Sequence, residues 1–127
     1  MIADQQSKKI LATAFGPGRQ HDLALYRASR TPLGAEIKGL ADSGYQGLMK
    51  LHANSRTPQK RSKHHPLTRT EKAANRTLAQ ARIVAEHILG TLKVFRILAE
   101  RYRNRRRRFG LRFNLIAALY NYELALV

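Results

Sequence analysis

The longest run of helical periodicity, Thr70 to Glu100, places the strongest constraint on how this chain folds. Apolar residues recur there at steps of three and four, so one long amphipathic helix must bury one face against a partner surface. These residues are Ala74, Leu78, Ala81, Ala85, Ile88, Leu92, Phe95 and Ala99. Thr68 and Glu71 have the spacing of a capping box and are predicted to open the helix.

A second stripe of this helix carries Arg82, Glu86 and Lys93, with Asn75 in line. At about 100° per residue, the stripe lies roughly a quarter-turn from the apolar face. A carboxylate flanked by two cations beside a buried face suits a site that handles phosphates and a metal ion. The same residues also fit a solvated helix face with an Arg–Glu pair, worth only a few tenths of a kcal/mol.

The charge balance favours a polyanionic partner. Lys and Arg number 24 against 8 Asp and Glu, so the net charge is +16 and the pI is near 11.3. Nucleic acid is the commonest partner for such an excess, and a membrane surface fits less well because the basic residues are spread over several elements. The chain has no cysteine, no run of 18 apolar residues and no signal-peptide pattern. We therefore expect a cytoplasmic, nucleoid-associated protein with no membrane contact.

The remaining pattern predicts one mixed α/β domain over residues 1–127. A strand is expected at Lys9–Phe15, preceded by a hairpin turn at Asp4–Ser7 whose partner strand would lie before residue 1. A helix is expected at Asp22–Ser29 with Asp22 as its N-cap. A last helix at Leu111–Leu126 would follow a break at Gly110. Its docking residues are predicted to be Leu115, Ile116, Leu119 and either Tyr120 or Tyr122.

Asp42 lies where an apolar stretch, Glu36–Leu40, runs into the glycine-rich segment Ala41–Gly47. This arrangement predicts an acid at the carboxyl end of a strand, the edge at which open sheets carry ligand sites. Asp42 could therefore be a metal ligand. It could equally be a turn former whose side chain caps its own backbone.

Two basic segments are candidates for phosphate contact. The first, His52–Pro66, is polar and is predicted to be a loop or flexible arm. It carries Arg56, Lys60, Arg61, Lys63, His64 and His65. The second is the run Arg101–Arg108, in which six of eight residues are arginine, among them Arg105, Arg106, Arg107 and Arg108. Both segments contribute to the positive charge that favours a polyanionic partner.

Once turn, cap and surface acids are set aside, Asp42 and Glu86 remain as a pair of candidate metal ligands. They lie 44 residues apart in sequence, one after a strand and one on a helix. Hard divalent cations such as Mg²⁺ prefer oxygen ligands of this kind. Two such ions held by carboxylates form the two-metal site of phosphodiester chemistry. Arg82 and Lys93 would then neutralise phosphate charge.

Four segments resemble the C-terminal part of the catalytic domain of DDE-class insertion-sequence transposases, in the Harbinger-related branch. They are Gly16–Asp22, which ends in His-Asp; Ala41–Gly47, around the second catalytic Asp; Arg82–Lys93, with Arg, Glu and Lys at gaps of three and six; and Tyr102–Leu124. Together they span most of the chain, in the order that the family has.

The resemblance implies an RNase H-like fold, with Asp42 and Glu86 as the second and third metal ligands. Mg²⁺ or Mn²⁺ would be the cofactor, two ions in the complete enzyme. Arg82 and Lys93, together with both basic segments, would bind DNA. The implied reaction is cleavage at the transposon end, followed by strand transfer to target DNA.

Two positions depart from the family pattern. Related signatures carry a Tyr three residues before the Arg, and that position here is Ala79. The family's first catalytic Asp lies on an opening strand well upstream of the His-Asp segment. We therefore expect this ligand and its strand to be missing, which makes the fold incomplete. The chain would then be a truncated copy inactive on its own, or one piece of a split enzyme.

Two other functions fit the same residues. The first is a basic DNA-binding module that performs no chemistry and needs nothing from Asp42 or Glu86. The second is an inhibitor that pairs with full-length transposase. Self-association into a homo-oligomer is compatible with each of these hypotheses.

Overall fold

The computed structural model describes residues 1–16, 19–99 and 108–126. The elements in chain order are β1 (Ile2–Ala3), β2 (Ile10–Ala12), α1 (Asp22–Ser29), β3 (Gly39–Leu40), β4 (Ser55–Arg56), α2 (Arg69–Leu92), α3 (Arg96–Ala99) and α4 (Phe109–Ala125). Two turns of 3₁₀ helix, Ser43–Tyr45 and Leu48–Lys50, lie between β3 and β4. The mixed α/β character predicted for the chain is confirmed.

The chain forms two compact units. One contains residues 1–16 and 84–127, and the other contains residues 17–83. Helix α2 contributes its first part to the second unit and its last turns to the first. Within the described residues, no helix has both the length and the apolar character needed to cross a bilayer.

The first unit begins with an antiparallel pair of strands, β1 and β2. The prediction that the partner strand lies before residue 1 is wrong, because the turn is tight enough for Ile2–Ala3 to fold back. The Asp4 carboxylate accepts the Ser7 N–H at 2.7 Å, and the Asp4 carbonyl accepts the Lys8 N–H at 2.9 Å. The hydrogen bonds from Ser7 hold the pKa of Asp4 below its ordinary value. Strand β2 is also shorter than predicted.

The core of the first unit joins β2 to the last turns of α2 and to the middle of α4. Its buried residues are Ile10, Ile88, Leu92, Ile116 and Ala117. Asn121 on α4 closes the edge of β2, since its amide donates to the Ile10 carbonyl and accepts the Ile10 N–H, each at 2.8 Å. A hydrogen-bonded edge of this kind fixes the register between the strand and the helix.

Helix α2 ends at Leu92, whereas the sequence pattern predicted one helix to Glu100. After Leu92 the chain tightens into i→i−3 hydrogen bonds, from Val94 N–H to the Thr91 carbonyl and from Phe95 N–H to the Leu92 carbonyl. In a straight helix, Ile97 and Leu98 would point about 140° and 240° away from Leu92. The bend lets both pack against the core, so tertiary packing overrides the local periodicity.

Helix α4 begins at Phe109, so the predicted break at Gly110 is wrong. Gly110 instead allows close packing, because a Cβ built there would lie 2.8 Å from the Phe15 ring. The Phe15 and Phe109 rings pack with centroids 4.8 Å apart. Of the predicted docking residues, Ile116 is buried and Tyr120 packs against the core. Leu115, Leu119 and Tyr122 are exposed, since the core takes the opposite face of the helix.

The second unit contains a parallel strand pair, β3 and β4. The Gly39 N–H donates to the Asn54 carbonyl at 2.8 Å, and the Ala41 N–H donates to the Arg56 carbonyl at 3.0 Å. Residues 52–66 are therefore not a loop throughout: β3 recruits Ser55–Arg56 as a strand. The β1–β2 and β3–β4 pairs are separate sheets among the described residues.

Capping residues were predicted for the N-termini of α1 and α2. Helix α1 has the predicted bounds, but its N-cap is His21 in extended conformation, and Asp22 is an acid of the first turn. The capping box before α2 is confirmed. The Thr68 N–H donates to the Glu71 carboxylate at 2.9 Å, and the Glu71 N–H donates to the Thr68 hydroxyl at 3.2 Å.

Candidate active site

Asp42 stands two residues after β3 and opens the first 3₁₀ turn. Its Oδ1 accepts the Gly44 N–H at 2.9 Å, and its carbonyl accepts the Tyr45 N–H at 3.1 Å. The turn-forming interpretation of Asp42 is therefore confirmed. The side chain is still 47% exposed, so its oxygens keep lone pairs that face solvent. Capping and ligand binding are compatible at this position.

Asp22 approaches the same turn from α1. A Cβ built on Gly44 would lie 3.1 Å from Asp42 Oδ1 and closer still to Asp22 Oδ2, so two carboxylates converge beside one glycine. The pKa of the neighbouring Tyr45 hydroxyl is raised, first by burial and then by the negative charges of Asp22 and Asp42. Sequence reasoning assigned Asp22 to helix capping alone and missed this approach.

Arg82 on α2 contacts Asp42. Arg82 Nη2 lies 3.9 Å from Asp42 Oδ2, and the arginine side chain is 20% exposed. A partly exposed pair at this distance contributes little to stability. Its relevance is local, because it places a guanidinium beside the carboxylate at the turn. The structure thus brings together two of the predicted site residues.

Glu86 and Lys93 belong to the first unit. Glu86 is exposed and follows Arg82 by about one turn of α2. Lys93 is exposed and stands just beyond the helix, with its N–H still donating to the Leu89 carbonyl at 3.1 Å. The predicted stripe is therefore helical through Glu86 and ends before Lys93.

A buried hydrogen-bonded cluster behind β3 and β4 was not predicted. His52 and Ser55 are 6% and 2% exposed, and His52 Nδ1 lies 2.6 Å from Ser55 Oγ. His52 Nε2 donates to the Gly34 carbonyl at 2.8 Å because a carbonyl oxygen can only accept, and in that tautomer Nδ1 accepts the Ser55 hydroxyl. A Cβ on Gly39 would lie 2.7 Å from Ser55 Oγ. The cluster packs against β3, the strand that leads to Asp42. It could not be predicted from the sequence, because His52 is a single histidine in a basic segment with no neighbouring motif.

Side-chain hydrogen bonds hold the basic segment to its own unit. Asn75 on α2 accepts the Gln59 N–H at 2.8 Å and donates to the Gln59 carbonyl at 2.9 Å. Gln46 donates to the Pro58 carbonyl at 2.6 Å. The basic side chains on either side of Pro58 and Gln59 are exposed. They are Arg56, Lys60, Arg61, Lys63, His64 and His65. In the second basic segment, Arg108 is exposed, and Arg105, Arg106 and Arg107 lie outside the described residues.

Two of the predicted ligands, Asp42 and Glu86, offer carboxylate oxygens to a divalent cation. The Asp42 and Glu86 carboxylates are exposed oxygen donors of the type that Mg²⁺ and Mn²⁺ prefer. Among residues 1–16, 19–99 and 108–126, no group of three His, Asp or Glu side chains is arranged to hold a metal ion. Asp42 and Glu86 are therefore chemically suited to bind such an ion, and they provide two carboxylates, not three.

Comparisons with known proteins converge on one family. A family model described as DDE superfamily endonuclease matches residues 1–121. The chain is 47% identical over 126 residues to the "Probable transposase for insertion sequence element IS702" of Microchaete diplosiphon. The match covers 99% of this chain and 46% of that relative, so the chain spans about half of the relative's length. No solved structure matches significantly. The chain belongs to the DDE superfamily of endonucleases, among the insertion-sequence transposases.

Proposed function

We propose that this chain is part of a transposase that performs metal-dependent phosphodiester cleavage and strand transfer on DNA. The family match across residues 1–121 and the printed name of the 47% identical relative support the proposal. The substrates would be the transposon ends and the target DNA. The observation that carries the proposal is the placement of Asp42, which follows strand β3, stays half exposed and faces Arg82.

Asp42 and Glu86 would be carboxylate ligands of Mg²⁺ or Mn²⁺. When bound, the ion would activate the attacking hydroxyl and stabilise the leaving oxygen of the phosphodiester. The chain's contribution is preorganisation, since the Gly44 N–H orients Asp42 Oδ1. Arg82, whose Nη2 lies 3.9 Å from Asp42 Oδ2, would turn toward phosphate oxygens when DNA is bound.

DNA binding would rest on cations outside the carboxylate pair. Lys93, Arg56, Lys60, Arg61 and Lys63 are exposed, and together with Arg105, Arg106, Arg107 and Arg108 they would contact backbone phosphates. Phosphate contacts position a protein on a duplex without reading its sequence. The anchors of Asn75 on Gln59 and of Gln46 on Pro58 support this role, because they limit the freedom of the segment before binding.

An RNase H-like fold is part of the proposal. Its support is the order of elements: a parallel strand pair with an acid at the end of β3, then the long helix α2 that carries Glu86. Ligand sites in open sheets lie at the carboxyl ends of strands, which is where Asp42 stands.

A DNA-binding module without chemistry is the second candidate. The observation that favours it is that the described residues hold no group of three His, Asp or Glu side chains able to bind a metal. The ion pair between Arg82 and Asp42 would then be a structural contact, and the net charge of +16 would account for DNA affinity by itself.

Nicking of supercoiled plasmid in Mg²⁺ or Mn²⁺ by a full-length transposase that carries these residues separates the two functions. The proposal predicts nicking that depends on the metal ion and is lost in Asp42→Ala and in Glu86→Ala. Glu36→Ala is the matched control, since Glu36 is an exposed acid outside the proposed site. Nicking that survives both site substitutions would show that the ligands are wrongly assigned. DNA binding without any nicking would favour the passive module.

A further inference from the structure

The turn that carries Asp42 is bonded to the first basic segment on both sides of the acid. Before Asp42, the Ala41 N–H donates to the Arg56 carbonyl at 3.0 Å. After it, the Gln46 side-chain amide donates to the Pro58 carbonyl at 2.6 Å. The proline ring already fixes φ at this position, so the second bond leaves the backbone beside the turn little freedom. All of these residues belong to the second unit.

Asn75, on α2 in the same unit, binds both backbone polar groups of Gln59. Its side-chain oxygen accepts the Gln59 N–H at 2.8 Å, and its side-chain nitrogen donates to the Gln59 carbonyl at 2.9 Å. Asparagine is a weaker helix former than alanine, so the stability of α2 does not account for this residue. Two helical turns later, Arg82 on the same helix contacts Asp42. Helix α2 therefore contacts both the basic segment and the Asp42 turn.

We propose that Gln46 and Asn75 are positioning residues, which hold the first basic segment across the Asp42 turn so that the DNA phosphates it binds lie beside Asp42. The exposed Lys60 directly follows the residues that they anchor. A backbone that is ordered before binding does not lose its freedom on binding, which improves affinity. This inference rests on the proposed function, because the ligand that it assumes is duplex DNA.

Fluorescence anisotropy with a short DNA duplex tests the anchors. Asn75→Ala should weaken binding about tenfold, the size expected when about one residue of backbone must be ordered again on binding. The slope of log K against log salt should not change, because the slope counts phosphate contacts and the cations remain. Lys60→Ala should instead lower that slope by about 0.9, because it removes a contact.

Matched controls separate positioning from a general effect of losing a side-chain amide. Asn54→Ala removes an exposed amide that donates to the Glu36 carbonyl at 3.2 Å in the same unit, and it should leave DNA affinity unchanged. Gln46→Ala should weaken binding as Asn75→Ala does. Gln80→Ala removes an exposed glutamine from α2 and should have no such effect.

Hydrogen exchange measures the anchor in the absence of DNA. The Gln59 N–H donates to Asn75, so its exchange should become faster in Asn75→Ala. The Gly39 N–H, which donates to the Asn54 carbonyl at 2.8 Å, should exchange at the wild-type rate in the same variant. Equal protection of Gln59 in the wild type and in Asn75→Ala would show that the side chain does not hold the segment, and would overturn the proposal.

Tethered cleavage tests whether the bound phosphates lie beside Asp42. The wild type has no cysteine, so Ser43→Cys places a single iron–EDTA reagent next to Asp42, and the wild type treated alike gives the background. At protein concentrations that saturate the duplex, Ser43→Cys should cleave the DNA above background. Adding Asn75→Ala should reduce the cleavage several-fold, and adding Asn54→Ala should not. Equal cleavage with and without Asn75→Ala would contradict positioning.

The outcomes distinguish this proposal from the proposed function. Equal DNA affinity of the wild type and Asn75→Ala would overturn the positioning role and leave the proposed function intact. A wild type that does not bind the duplex would overturn the DNA-binding role in the proposed function as well. Absence of nicking by the full-length transposase would remove the proposed chemistry, while the effect of the anchors on DNA affinity would stand.

Discussion

The Asp22 and Asp42 carboxylates both approach Gly44, and the pKa of the neighbouring Tyr45 depends on the charge of each. Because burial and these two charges raise the pKa of Tyr45, removing one charge should lower it. Asp22→Asn is expected to move the pKa of Tyr45 back toward its ordinary value of 10.0, with the part due to burial retained. An NMR titration of the tyrosine ring carbon bearing the hydroxyl measures this shift. An unchanged pKa would show that Asp22 does not approach the turn.

The same raised pKa has a consequence for stability. The folded state holds the Tyr45 proton more tightly than the unfolded state does, so this contribution is complete below pH 10.0. It is lost as the pH rises from there through the pKa of the folded state. The urea midpoint of the wild type should therefore fall more steeply above pH 10 than that of Tyr45→Phe. Identical pH dependence for the two proteins would contradict this assignment.

His52 is the residue whose removal should damage the second unit most directly. In His52→Ala, the Ser55 hydroxyl and the Gly34 carbonyl lose their buried partner, which costs about 1–3 kcal/mol. Urea unfolding at neutral pH measures the loss. His64→Ala is the control, because His64 is exposed and should change the free energy of unfolding by less than about 0.5 kcal/mol. Equal effects of the two substitutions would argue against the cluster.

At the scale of elements, local signals were sufficient where local chemistry decides the structure. The bounds of α1 and the capping box of Thr68 and Glu71 followed from residues within a few positions of each other. The end of α2 did not, because its bend serves the packing of Ile97 and Leu98 on a core assembled from distant segments. Strand β4 was missed for the same reason, since its pairing with β3 joins residues sixteen positions apart.

Two helical glycines give a matched pair of predictions. A Cβ on Gly90 of α2 meets nothing within 4 Å, so Gly90→Ala should stabilise the chain by about 0.5–1 kcal/mol through helix propensity. Gly110→Ala in α4 should destabilise it, because the new methyl group would lie 2.8 Å from the Phe15 ring. Thermal unfolding of both variants gives the signs. A stabilising Gly110→Ala would contradict the packing of Phe15 on α4.

At the scale of the whole molecule, DNA affinity should depend steeply on salt. Each phosphate contact contributes about 0.9 to the slope of log K against log salt, so the Lys60→Ala, Arg61→Ala, Lys63→Ala triple variant should reduce the slope by up to about 2.7. Fluorescence anisotropy at several salt concentrations measures it. The control is a triple variant that removes three positive charges from exposed positions outside the basic segment: Lys8→Ala, Lys9→Ala, Lys38→Ala. Equal slopes for the two triple variants would rule out a specific role for the basic segment.

The candidate site was predictable in part. Asp42 could be identified because a strand, an acid and a glycine-rich turn are consecutive in sequence, and the capping of Gly44 follows from that order. The approach of Asp22 and the cluster of His52, Ser55 and Gly34 could not, because each depends on segments that become neighbours only in the folded unit. The stripe on α2 was predicted through Glu86, and Lys93 departs from it where the helix ends.

The proposed function requires divalent-metal binding at Asp42 and at Glu86, and Mn²⁺-induced broadening of amide NMR signals measures that binding at each carboxylate. The Gly44 signal reports on Asp42, and the Ala85 and His87 signals report on Glu86. We predict that Mn²⁺ broadens both sets, that Asp42→Asn abolishes the broadening of Gly44, and that Glu86→Gln abolishes the broadening of Ala85 and His87, whereas Glu36→Gln changes neither set. Broadening at either carboxylate that survives its own substitution would contradict the proposed ligands.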